Sequence, residues 1–101
     1  MHDKRRHQRV TLETPLIYTE VGVTQDAQSA TARDISLGGM YIASEARPEL
    51  GRTLTIKLTL PGSRAELTLP AVVRWFSDDG FGVQFQLLGA KETHAITRFA
   101  Q

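Results

Sequence analysis

Two stretches of this 101-residue chain concentrate side chains that could do chemistry. The first is Lys4-Arg5-Arg6-His7-Gln8-Arg9, in which Arg5 and Arg9 stand four positions apart with Arg6 between them. Guanidinium groups stay charged and present a planar fork of donors that matches phosphate and carboxylate. The second is Asp34-Ile35-Ser36-Leu37-Gly38-Gly39-Met40, a turn-like run between two strand-like ones. Asp34 offers a carboxylate, Ser36 a hydroxyl, and glycine lets a ligand come close to the main chain. A cationic cluster and a glycine-floored polar turn together describe a site for the polar edge of a small anionic molecule.

Other chemistries find less support. His2, His7 and His94 lack companions at metal-ligand spacing, so no metal site is expected. The absence of cysteine excludes disulfides, thiolate metal sites and cysteine nucleophiles. Ser36 lacks the G-x-S-x-G elbow and a His/Asp pair, and Asp78-Asp79 belongs to a turn. No catalytic residues are expected, and the protein reads as a non-enzyme without a cofactor. The bland readings stay beside the functional one. The arginines could be a solvated tail, and Asp34 and Ser36 could cap a hairpin. Trp75 reads as a core residue, with base stacking as its lesser alternative.

Charge distribution sharpens the picture. Residues 1–9 carry four basic side chains against Asp3, a balance of +3, whereas residues 10–101 carry eight basic and ten acidic ones, a balance of −2. Positive charge gathered at one end points to an anionic partner. A net charge of only +1 argues against a general nucleic-acid binder. No apolar run reaches the ~20 residues that span a bilayer, and the basic start is not followed by a signal-peptide core. Cytoplasmic residence is the simplest expectation, with no membrane insertion.

The elements that must position these groups follow from periodicity. Residues 1–9 show none, and form a flexible segment ahead of a domain covering 10–101. Val10, Leu12, Leu16 and Tyr18 share one parity, interrupted by Pro15, which suits an edge or a bulge. A second strand runs through Ala30 and Ala32 into the Asp34 turn, and Met40 to Ser44 forms a short third. Leu54, Ile56, Leu58 and Leu60 alternate with Thr53, Thr55, Lys57 and Thr59. Leu67, Leu69, Ala71, Val73 and Trp75 continue with period two, Asp78-Asp79-Gly80 turns, and Phe81, Val83, Phe85 and Leu87 complete the last strand. After Gly89 the spacing of Glu92, Ile96 and Phe99 predicts one short amphipathic helix. About six short strands favour a closed antiparallel barrel, which removes exposed edges, with the helix packed over one open end.

Arg5-x-x-x-Arg9 followed by Asp34-x-Ser36-x-x-Gly39 resembles the paired motif of PilZ domains. Val72-Val73-Arg74-Trp75 and Gly80-Phe81-Gly82-Val83-Gln84-Phe85 are similar to the last two strands of that family, so the likeness covers essentially the whole chain. The resemblance implies a six-stranded antiparallel β-barrel of split-barrel type with a short C-terminal α-helix, acting as a bacterial cyclic di-GMP receptor. It assigns Arg5 and Arg9 to phosphates and the Hoogsteen edge of guanine, with Arg6 as a helper. Asp34, Ser36 and Gly39 fall on a guanine edge and the ribose-phosphate. The implied partners are cyclic di-GMP and a separate effector protein, reached through a conformational change. The alternative is a ligand-independent adaptor of the pilus or motility type.

Overall fold

The computed structural model describes residues 8–24 and 26–101. Alternating apolar and polar residues form strands β1 (Val10–Glu20), β2 (Gln28–Ile35), β3 (Gly39–Ala43), β4 (Thr53–Leu58), β5 (Leu67–Ser77) and β6 (Gly80–Phe85), followed by helix α1 (Ala90–Phe99). All neighbours are antiparallel, and the strands close into a barrel in the order β1-β2-β3-β6-β5-β4. The core is the barrel interior, filled by one inward side chain in two: Leu54, Ile56 and Leu58 from β4, Leu67, Leu69, Ala71 and Val73 from β5. Tyr18 and Phe81 meet edge to face there, with ring centroids 5.6 Å apart.

Pro15 lies where β1 changes company. Its neighbour on β2 is Thr31, but pairing with β4 begins only at Leu16, so the missing N–H costs no ladder bond on that side. The expected edge is thus local, within a barrel that has none globally.

Two departures from period two shape the outer wall. Between the rung Val10–Ile35–Met40 and the rung Thr14–Ala32–Ile42, the chain takes four steps on β1, three on β2 and two on β3. The extra residue on β2 keeps Ala32 and Ile35 both inside while Arg33 and Asp34 both reach the outer side. A second bulge lies between Val73 and Trp75 on β5. It puts Arg74 and Trp75 outside, so Trp75 is 44% exposed and does not fill the core as its parity with Val73 predicts. Leu87 also departs from expectation: β6 ends at Phe85, and Leu87 is 95% exposed.

The helix follows Gly89, whose side-chain-free N-cap provides no capping bond. Ten residues are marginal as an isolated helix. Packing compensates, because Ile96 is completely buried in the core cluster, with Ala95 and Phe99 beside it. The helix sits against the Leu60–Ser63 turn at the β4–β5 end of the barrel.

Candidate functional site

The chain brings Arg9 and Asp34 together, 25 positions apart in sequence. Arg9 stands one residue before β1, and Thr11 pairs with Asp34 across the β1–β2 ladder. Arg9 Nη1 donates to Asp34 Oδ1 at 2.6 Å, with both side chains about three-quarters buried (26% and 27% exposed). The same Oδ1 accepts the Tyr41 backbone N–H at 3.1 Å, which ties the carboxylate to β3. Among the described residues nothing bonds Asp34 Oδ2, and one Arg9 nitrogen carries the whole ion pair. Arg5 and Arg6 lie outside the described residues.

Asp34 is therefore a strand residue and not part of the turn where its neighbours in sequence put it. The turn proper is Ser36-Leu37-Gly38. Ser36, 4% exposed, organises it from within. Its Oγ accepts the N–H groups of Gly38 (3.1 Å) and Gly39 (3.3 Å), and its own N–H donates to the Gly39 carbonyl at 2.9 Å. The Gly38 carbonyl accepts Phe85 N–H at 2.9 Å, tying the turn to the end of β6. The amides of Gly38 and Gly39 are thus engaged by Ser36, which still has its hydroxyl proton to donate. Gly39 opens β3, where any Cβ would run into the Val83 carbonyl oxygen of β6.

A further group, Tyr41 with Trp75, is only partly legible in the sequence, which places Trp75 in the core with base stacking as its lesser alternative. Asp34 pairs with Tyr41, Tyr41 with Gly82, and Gly82 with Trp75, so one rung crosses β2, β3, β6 and β5. The indole of Trp75 lies over Gly82, in the space a Cβ there would occupy, and stacks on the Tyr41 ring with centroids 5.2 Å apart and planes 14° from parallel. The Tyr41 hydroxyl is held by Asp79 and Ser77 of the β5–β6 hairpin. Partial burial pushes the Tyr41 phenol above its ordinary value, reinforced by Asp79, and the bonds from Tyr41 and Ser77 hold the Asp79 carboxyl below its own. The one hint in sequence was the adjacency of Trp75 and Phe76, since two consecutive large apolar residues on a strand cannot both face inward.

Among the described residues no cluster of metal-ligating side chains is present, and no helix is long and apolar enough to cross a membrane.

The PilZ domain profile matches residues 3–101. Among solved structures, the PilZ domain of CeSA from a cellulose-synthesizing bacterium superposes with a TM-score of 0.71 at 17% identity, covering 92% of this chain and 94% of that one. The PilZ domain of Escherichia coli YcgR, solved with c-di-GMP, gives 0.77 at 15% identity, over 97% and 89% of the two chains. The Bacillus subtilis motility inhibitor MotI/DgrA gives 0.78 at 17% identity over 98% of this chain, which spans half the length of that protein. No curated protein sequence shows significant similarity. At such identities the structural likeness speaks for the fold, and the match in profile along nearly the whole length speaks for descent: the chain belongs to the PilZ domain family.

Proposed function

We propose that the protein is a cyclic di-GMP receptor domain, in which the basic leader of residues 1–9 closes over the outer wall of the barrel (10–101) around the nucleotide. The observation that carries this reading is the Arg9–Asp34 pair, which joins the two halves of the motif in one place. YcgR, a structural neighbour, was solved with this nucleotide bound. Guanine offers N7 and O6 as acceptors to an arginine fork, and N1–H and N2–H₂ as donors to a carboxylate such as Asp34 through Oδ2. Arg5, Arg6 and Arg9 serve the phosphates and the Hoogsteen edge. Asp34, Ser36 and Gly39 form the opposing floor.

Magnitudes favour the exchange. A partly exposed ion pair contributes about 0–1 kcal/mol. Each charge-assisted hydrogen bond to the ligand contributes about 1.5–3 kcal/mol. Trading one Arg9–Asp34 contact for separate contacts of each group with the ligand is therefore downhill. The exchange also moves the leader, and that movement is the signal read by a protein partner in the cytoplasm. Recognition and not catalysis is the task.

Calorimetry tests this directly. Wild-type protein should release heat with cyclic di-GMP, and Arg9→Ala or Asp34→Ala should weaken binding by about tenfold or more. A folded wild-type chain giving no heat at protein concentrations on the order of tens of micromolar would remove the reading. Capture of a partner protein with equal strength with and without nucleotide would favour the ligand-independent adaptor instead.

A further inference from the structure

We infer that the end of the barrel remote from α1 is a docking surface for a basic amphipathic helix of a partner protein. Antiparallel alternation gathers the β1–β2, β3–β4 and β5–β6 connections at that end, away from the Ser36-Leu37-Gly38 turn. Counting Glu20 at the tip of β1, this end carries Glu20, Asp26, Glu45, Glu49, Asp78 and Asp79 against Arg47 and Arg52, a balance of −4. The rest of residues 10–101 carries six basic and four acidic side chains, a balance of +2, so the acidic field belongs to this end alone.

Large apolar side chains stand among these charges. Leu50, 62% exposed, and Phe76 line one notch together with Pro48. Val21, also exposed, is tied in just after Arg52 by its N–H, which donates to the Thr53 carbonyl at 2.9 Å. Local geometry does not call for a leucine at position 50. Arg52 N–H donates to the Glu49 carbonyl at 3.2 Å and Gly51 has a φ of +85°, which makes Glu49–Arg52 a type II turn with Leu50 second. Proline or a polar residue would serve that position equally well. The turn is also held still: Gly51 N–H donates to the Val73 carbonyl at 2.8 Å, Val73 N–H to the Arg52 carbonyl at 3.0 Å, and the Arg47 guanidinium to the Asp78 carbonyl. A notch fixed in this way loses little freedom when it is filled. The closed barrel offers no sheet edge for an extended segment to pair with, so a helix laying down one apolar face is the guest that fits. Leucine-sized anchors match the notch, and flanking lysines or arginines match the carboxylates. The competing account is that these apolar side chains are ordinary isolated surface residues.

The probe is a synthetic helix of leucine and lysine with every leucine on one face, titrated into the full chain and followed in its amide NMR spectrum. Shifts should saturate, centre on Val21, Leu50, Gly51 and Phe76, and weaken with added salt. Leu50→Ser changes an exposed position, so it should melt like wild type and bind the peptide roughly tenfold more weakly. A peptide of the same composition with its leucines spread around the helix should lose affinity to a similar degree. If Leu50→Ser melts early, that comparison of two peptides on the wild-type protein decides. Equal affinity for both peptides would leave charge attraction alone and overturn the proposal. An unchanged spectrum at peptide concentrations on the order of a millimolar would overturn it as well. Shifts of the same residues on concentrating the protein without peptide would assign the notch to a second copy of this chain, against the proposal. None of these outcomes touches the calorimetric test of the nucleotide site, which lies elsewhere on the barrel.

Discussion

A Cβ on Gly39 would sit inside the van der Waals envelope of the Val83 carbonyl oxygen, because β3 and β6 approach closely at this pair. The obstacle is main chain, which cannot step aside as a flexible side chain would. Gly39→Ala should therefore lower stability by about 1–3 kcal/mol or more, measured by urea denaturation. Gly62 provides the contrast. Its φ of +83° is left-handed, and nothing lies within 4 Å of a Cβ built there. Gly62→Ala should cost about 1–2 kcal/mol from backbone strain alone, without disturbing packing. A Gly39→Ala protein as stable as wild type would contradict the close approach. Nucleotide binding lost in Gly39→Ala would combine strand distortion with loss of the site floor, so Arg9→Ala and Asp34→Ala are the variants that report the nucleotide contacts.

The elements differ in how they are held. Ladder bonds on both sides fix every strand, but α1 has no side-chain cap and depends on the burial of Ile96. Ile96→Ala should destabilise the protein by about 2–5 kcal/mol in thermal or chemical melts, since it removes a fully buried side chain at the barrel end. The helix packs at the β4–β5 turn, while Arg9 and Asp34 stand on the β1–β2–β3 wall. Nucleotide affinity of the folded variant should consequently match wild type in calorimetry, and a parallel loss of affinity would show that α1 supports the site. Within strands, alternation announced which residues point inward wherever the ladder is regular. It misplaced Trp75 because one extra residue on β5 inverts the parity, and a bulge has no signature in hydropathy.

At the scale of the whole molecule, stability should respond to alkaline pH through buried phenols. Tyr18 is 3% exposed, and burial pushes its hydroxyl above the ordinary 10.0. A folded value raised above the unfolded one means that the contribution is complete below 10.0 and is lost as pH rises through the folded value. The urea midpoint should thus fall as pH climbs past that ordinary value, and Tyr18→Phe should flatten the fall. An equally steep decline in Tyr18→Phe would assign the effect to other groups. Tyr41, raised for the same leading cause, titrates in the same direction, so the double variant should be flatter still.

From composition and alternation alone came one domain, six strands in nearly their final positions, the terminal helix, and the two motif halves. These follow from nearest-neighbour rules, because parity and turn residues act over a few positions. Only tertiary structure decided that Arg9 meets Asp34, that Ser36 spends its oxygen on the amides of Gly38 and Gly39, and that Trp75 joins Tyr41 on the outside. Each of those depends on which strands become neighbours when the barrel closes and on where an extra residue shifts the register. Contacts between residues far apart in the chain are set by the closed ladder as a whole, and no local pattern encodes them.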